Sequence, residues 1–273
     1  MRWYQKPLIW TIVIVIAVCI ALAIFFQKPS DGQNDKETAG IEKAVSTAIL
    51  DRNGGSYLSG ECRGEGHYIM DSAADGTTLT AYVLTMYGEY GFEDGNFVKV
   101  SGSGVIPAVI TFSQAEDGSD SVIDYQMPED GEGYMASIER LFPKALWSQC
   151  LEISSSTATE LKTQEQVYAE KYLASIDRPA TIGEYGDFDH PLLTNLGVSV
   201  EVSNMLCANK DLSNYPFWVG NCERIEAGIR YIYQVAYDAK ARKITYSKLN
   251  YDTKAVAEKY VFDATNGQVL LEP

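Results

Sequence analysis

The spacing of apolar positions changes character several times along the chain. From Pro7 to Phe26 it reads PLIWTIVIVIAVCIALAIFF, with no charged residue between Lys6 and Lys28. About 20 such residues at ~1.5 Å each match a hydrocarbon core of ~30 Å, which predicts one transmembrane helix. The competing reading is a cleavable signal peptide, whose apolar region usually runs ~7–15 residues and ends in a small-residue cleavage site. No such site precedes Lys28. Lipoprotein processing at Cys19 fits less well, because Ile16, Ala17 and Val18 precede it and the apolar run continues to Phe26.

Residues 29–37, PSDGQNDKE, are polar and turn-rich and read as a short stalk. Thr38 is then placed to cap a helix in which Ile41, Ala44, Val45, Ala48 and Ile49 share one face, and Asn53-Gly54-Gly55 ends it. Beyond this the period becomes two. Strands are predicted around Gly66–Asp71, Thr77–Tyr87, Phe97–Val100, Val105–Phe112 and Ser121–Tyr125, separated by Asp75-Gly76, Asp94-Gly95 and Asp117-Gly118. Asp-Gly suits tight hairpins, whose two central residues need positive φ. One helix followed by such a meander predicts an antiparallel sheet curved around the helix.

Helical spacing returns over Tyr134–Leu151, interrupted by Pro143, and over Thr159–Ile176, ended by Pro179. Between them Ser154, Ser155, Ser156 and Thr157 form a polar link, so a boundary between two halves falls near residue 155. The second half alternates apolar and polar residues over Val198–Ser203, Arg230–Tyr237, Lys243–Tyr251 and Ala255–Phe262, with turns at Asp238–Arg242 and Asn266-Gly267. Tyr231, Tyr233 and Tyr237 fall on one strand face, an arrangement that suits a packed sheet face better than a ligand platform. The fold class is therefore α+β: one N-terminal transmembrane helix (1–28), a stalk (29–37), an α+β half with an antiparallel meander (38–155), and a second half of a helix followed by antiparallel strands (156–273).

Charge gives the topology a direction. Arg2 and Lys6 lie before the apolar run, and Asp31, Asp35 and Glu37 follow Lys28, which places the N-terminus in the cytoplasm and the bulk of the chain outside the cell membrane. Trp3, Tyr4 and Trp10 suit one interface, and Phe25 and Phe26 lie near the other. The whole chain has a net charge of −15, and all of its acidic residues follow the anchor. Such a domain repels nucleic acid and favours cationic peptides or metal ions.

Four cysteines lie beyond the anchor, Cys62, Cys150, Cys207 and Cys222, and in an oxidising compartment they permit two disulfides in three connectivities. Loop length favours Cys207 with Cys222, leaving Cys62 for Cys150. Zinc is disfavoured, because there is no Cys-x-x-Cys pair and His67 and His190 are far apart in the chain.

Catalytic motifs are missing. No serine stands three residues ahead of a lysine for acylation of the penicillin-binding kind; Thr159 to Lys162 comes nearest, with the wrong nucleophile. His67 is followed by Tyr68 and His190 by Pro191, so neither begins a His-Glu-x-x-His zinc motif. Glu89 and Glu93 could in principle form the acid and base of a glycoside hydrolase. Glu93-Asp94-Gly95-Asn96 and Glu116-Asp117-Gly118-Ser119-Asp120 lack the alternation of a calcium loop and read as hairpin turns. Ser101-Gly102-Ser103-Gly104 lacks the lysine of a phosphate-binding loop and reads as a bulge or turn. No catalytic residue, cofactor or metal ligand is assigned. Phe217 and Trp218 are read first as core packing; the second reading is the edge of a pocket, where aromatic side chains beside a covalent clamp at Cys222 make a rigid contact surface.

Three stretches carry a resemblance: LTMYGEYGFEDGNFVKVSGSGVIPAVITF (84–112), LLTNLGVSVEVSN (192–204) and NYPFWVGNCERIEAGIRYIYQVAYD (214–238). Over about residues 41–267 the chain resembles the C-terminal extracytoplasmic region of clostridial beta-lactam sensor and signal transducer proteins of the BlaR/MecR type. The resemblance implies an outer region that senses a ligand and passes the signal inward. It does not extend to that family's multi-helix membrane module, zinc metallopeptidase motif or acylated serine. The reading that follows is a non-catalytic sensing or binding domain held at the cell membrane. Its partners would be the membrane, through the single helix, and either a small ligand or a membrane protein. The alternatives are a cell-envelope carboxylate hydrolase and an assembly partner of a multi-span membrane protein.

Overall fold

The computed structural model describes residues 34–115 and 120–271. The anchor expected at 7–26 lies outside them, as does the start of the stalk; among the described residues no helix is long and apolar enough to cross a membrane. The chain divides into two units between Lys43 and Ala44. Of the first, only the leading part of helix α1 (Asn34–Asn53) is described, and the account below concerns the second.

α1 starts four residues ahead of the expected cap, so Thr38 lies inside it. Val45, Ala48 and Ile49 are buried, as their spacing predicts. At the C-terminus Asn53 Nδ2 donates to the Ile49 carbonyl (2.8 Å), and Gly55 adopts φ 87°.

The architecture is α+β, with one large, mainly antiparallel sheet. Its first part is the expected meander, in longer strands: β1 (Cys62–Asp75), β2 (Thr78–Glu93), β3 (Asn96–Gly102), β4 (Ile106–Gln114) and β5 (Asp120–Gln126). β2 is the axis. β1 follows one of its edges from Asp75↔Thr78 to Cys62↔Tyr90, while β4 and then β3 occupy the other. At the β2–β3 turn Asp94 (φ 44°) and Gly95 (φ 82°) both take positive φ, the chemistry that Asp-Gly supplies. Asp117-Gly118 lies outside the described residues.

Pro143 interrupts the next helical stretch as expected, giving α2 (Tyr134–Leu141) and α3 (Trp147–Leu151). α4 (Ser155–Ser175) begins four residues before Thr159, because Ser154 in the polar link is its cap: Oγ accepts from Thr157 N at 3.1 Å. This helix lies across β1 and β2 at very short range. A Cβ on Gly66 would stand 2.1 Å from the Leu161 carbonyl oxygen, and one on Gly64 2.6 Å from that of Glu165. Leu161 packs on Leu84 and Met86, and Ala169 and Leu173 pack on Tyr90, Phe92 and Phe97.

In the second half β6 (Ile182–Glu184) runs parallel to β3. The strand expected at Val198–Ser203 is a helix, α5 (Val200–Cys207). Three valines at alternate positions imitate a strand, but Ser199 Oγ caps the segment by accepting from Val202 N (3.3 Å), and Val202 and Leu206 share the buried face at helical spacing. β7 (Gly220–Glu226) escaped the sequence pattern, since Glu223, Arg224 and Glu226 break its alternation. Its hairpin to β8 (Ile229–Asp238) turns on Ala227 (φ 49°) and Gly228 (φ 80°), without the usual Asn or Asp signal. β9 (Lys243–Asn250), β10 (Val256–Asp263) and β11 (Val269–Leu271) complete the sheet. Tyr233 is in the second core, and Tyr231 and Tyr237 pack against it, as a packed sheet face requires.

The disulfides expected from loop length are not formed: Cys62, Cys150, Cys207 and Cys222 are all free. Cys150 belongs to the cluster of Val109, Ile138 and Phe142, whereas Cys62 packs with Tyr90 and Phe97. Cys222 is buried in the second core and Cys207 is exposed.

Candidate binding cleft

The functional candidate arises where the sheet comes apart. β1 leaves β2 at Tyr90, and β7 takes over the vacated edge only at Glu93↔Cys222. Between the diverging strands a cleft of about 760 Å³ opens, a size typical of small-ligand sites. Gly91, Phe92 and Glu93 of β2 line it, together with the Leu58–Glu61 segment, residues 222–226 of β7, and the Ser213–Trp218 loop with Tyr185. The Leu58–Glu61 wall is pinned to β2: Glu61 N donates to the Tyr90 carbonyl (2.7 Å) and Gly60 N to Glu89 Oε2 (2.9 Å). A Cβ on Gly60 would stand 2.4 Å from the Tyr90 carbonyl oxygen, so only glycine fits there.

Phe217, Trp218 and Cys222 all line this cleft; Trp218 is buried, as the core-packing reading expects, whereas Phe217 is exposed at the pocket edge. The covalent clamp is absent; the Cys222 thiol instead donates to the Asn214 carbonyl (3.7 Å), and burial pushes its pKa up to about 12. The aromatic wall is built by ring contacts. His190 stacks on Tyr185 (centroids 3.8 Å apart) and meets the edge of Trp218 (4.6 Å), and Phe217 stands perpendicular to Trp218 (5.0 Å). The bridge between Leu192 and Trp218, with Val219 N donating to the Pro191 carbonyl (2.8 Å), holds the loop in place.

The charges of the cleft are mutually engaged. His190 Nε2 is 2.8 Å from Glu93 Oε2, and its Nδ1 faces the Phe188 carbonyl (3.1 Å). Burial holds the Glu93 carboxyl above its ordinary range, against the opposing pull of His190. Beneath Phe92, Arg230 spans the two walls: it donates to both oxygens of Glu61 (2.5 and 2.8 Å) and to Glu223 (2.9 Å). Arg178 forks onto Glu223 (2.7 Å to each oxygen) and lies 3.5 Å from the Phe92 ring centroid, combining two-pronged carboxylate recognition with cation–π contact. Glu226 is bonded by Lys248 (2.8 Å) and the Tyr233 hydroxyl. Trp218 Nε1 is buried and has no hydrogen-bond partner among the described residues.

The other groups singled out in the sequence do not converge. Glu89 and Glu93 are four residues apart on one strand, ~13 Å at ~3.3 Å per residue. Glycosidase pairs need ~5–9.5 Å. Glu89 is occupied by Gly60 N and the Tyr87 hydroxyl. His67 pairs with Glu65 (2.9 Å), remote in sequence and partner from His190. Among the described residues no group of three or more His, Cys, Asp and Glu could hold a metal ion. Ser101–Gly104 is a bulge and turn, as expected: the β2–β3 register shifts at Glu89/Tyr90, and Ser103 N donates to the Tyr87 carbonyl (2.9 Å). Sequence reasoning missed the buried pair of Lys99 Nζ with Glu165 Oε2 (2.8 Å), joined by the Tyr90 hydroxyl on Oε1 (2.7 Å). Its one signal was a lysine inside the apolar strand NFVKV. Comparison with models of known families, with curated proteins and with solved structures finds no match.

Proposed function

We propose that this chain is a non-catalytic sensing or binding module, held at the outer face of the cell membrane by an N-terminal helix, which takes its ligand in the cleft between β2 and β7. One observation carries the reading: a cleft of ligand size has an aromatic wall, while its carboxylates Glu61, Glu93, Glu223 and Glu226 are each held by a basic partner. Such a wall is rigid and presents contact surface, and the pairing of its carboxylates with cations supports binding over acid–base chemistry. The likeness to the outer region of beta-lactam sensor proteins supports a signalling role, and the apolar run at 7–26 supports the anchor.

Thermal unfolding of the full chain in neutral detergent against cell-wall fragments, beta-lactams, cationic peptides and calcium tests the reading, since a ligand that binds only the folded state raises Tm. A saturable rise that Phe217→Ala diminishes is the expected result. No rise across the panel, or one indifferent to Phe217→Ala, refutes recognition in this cleft. Loss of membrane retention on removal of residues 1–28 is expected, and a chain that stayed membrane-bound without them contradicts the anchor.

A further inference from the structure

Pairing off the charges of the cleft leaves one over. Glu61 is bonded to Arg230, Glu93 to His190, Glu223 to Arg178 and Arg230, and Glu226 to Lys248. Arg224 lines the same cleft and makes no ion pair among the described residues. Glu93 and Glu226 lie in its electrostatic field but not within bonding reach.

The guanidinium is held from one side. Cys222, Arg224 and Glu226 share a face of β7, since side chains alternate along a strand. On that face the Asn214 carbonyl, from the loop that carries Phe217, accepts from Arg224 Nε (2.9 Å) and from the Cys222 thiol (3.7 Å). The bond at Nε is exposed to solvent and leaves the two Nη groups, the edge with which a guanidinium forks onto a carboxylate. The Cys222 thiol beside them is only a weak acceptor.

Opposite Arg224 there is space. The bridge sets Glu93 against Cys222, so in antiparallel order Gly91 is the β2 residue that comes toward Arg224. Gly91 has no side chain, and among the described residues a Cβ there would meet only Val100, at an ordinary 3.6 Å. Leu58 and Phe217 complete the lining with large apolar side chains that are 59 and 58% exposed.

The occupant follows from what is unmet. A cation finds every lining glutamate already held. A neutral apolar molecule covers Leu58 and Phe217 but takes water from Arg224 without replacing it, which is costly for a charge. One carboxylate on an apolar body satisfies both features, whereas a second carboxylate would meet Glu93 or Glu226. We infer that the cleft takes a small monocarboxylic acid, its carboxylate on the Nη groups of Arg224 and its apolar body against Phe217 and Leu58. This rests on the cleft being the binding site.

The test is isothermal titration calorimetry of the full chain in neutral detergent with phenylbutyrate and isocaproate, each beside its amide and amine counterparts. Saturable binding of the carboxylates is expected, at least about tenfold tighter than of the amides, the scale of losing a charge-assisted hydrogen bond. Partition into micelles cannot imitate this, because it favours the uncharged amide. Arg224→Gln should weaken the carboxylates to the level of the amides, and Arg224→Lys, a point charge without the fork, should fall between. Gly91→Leu, which fills the space opposite Arg224, should abolish binding in a chain with an unaltered melting curve. Equal binding of acid and amide, or carboxylate binding indifferent to Arg224→Gln, overturns the inference. If neither carboxylate binds while another ligand raises Tm in a Phe217-dependent way, the carboxylate inference fails and the cleft reading stands; if nothing binds, both fail.

Discussion

Arg230→Met removes the cation that ties one wall of the cleft to the other. The guanidinium is 16% exposed and its partners Glu61 and Glu223 are each 5% exposed, so the three charges are largely shielded from solvent. Glu223 keeps both of its bonds to Arg178 in the variant. Among the described residues Glu61 keeps only the Tyr172 hydroxyl (2.9 Å) as a side-chain partner. Removing one member of a buried pair costs about 3–5 kcal/mol, mostly because the remaining charge is stranded. For a domain of this size each kcal/mol moves Tm by ~2–4 °C, so the fall should lie between about 6 and 20 °C. Circular dichroism melts of the wild type, Arg230→Met, Glu61→Gln and the double variant measure it. The double variant should recover part of the loss, since no anion is then stranded. Arg230→Lys should fall between, because an ammonium cannot reproduce the two-pronged contact. The loss should persist at high salt, which screens buried pairs weakly. A change of less than about 0.5 kcal/mol in Arg230→Met, the range of ordinary surface substitutions, would refute the reasoning.

Lys99→Met strands Glu165, whose side chain is fully buried, and should also cost about 3–5 kcal/mol near neutral pH. Burial already holds the Glu165 carboxyl above its ordinary value of 4.5, and a raised carboxyl pKa contributes stability at low pH that is lost as pH rises through the folded-state value. The deficit of the variant should therefore shrink on acidification; a deficit independent of pH argues against a stranded carboxylate. Gly66→Ala drives a methyl group against the Leu161 carbonyl and should destabilise by about 1–3 kcal/mol in a denaturant titration, whereas Gly104→Ala, with open space at its Cβ, should be close to neutral. Reducing agent should leave Tm unchanged, and alkylation of the unfolded, unreduced chain should label Cys62, Cys150, Cys207 and Cys222 alike. A fall in Tm with dithiothreitol, or protected thiols, would contradict the free state.

Local rules made much of this fold legible from the chain. Asp-Gly dipeptides placed the β1–β2 and β2–β3 hairpins, period-two alternation found most of the strands, and Pro143 divided α2 from α3, because each of these effects acts within a few residues. The failures were local signals outweighed by distant contacts. The alternating valines at 198–202 became helix because Leu206, one turn on, shares a buried face with Val202. Charge concealed β7, since Glu223 is neutralised by Arg178 and Arg230 from other elements. The cysteines were paired by loop length, whereas packing put Cys62 and Cys150 into different clusters. Of the cleft, the sequence alone offered Phe217 and Trp218 as edge residues, second to core packing, which is where Trp218 lies. The Glu93–His190 pair spans 97 residues and the Arg230–Glu61 pair 169, distances over which no periodicity carries information. Composition and spacing thus determined the class of fold and the acidity of its surface. The single bridge at Glu93↔Cys222, from which the sheet opens into a cleft, was decided by tertiary structure, because the strand it joins to β2 is recruited from the far end of the chain.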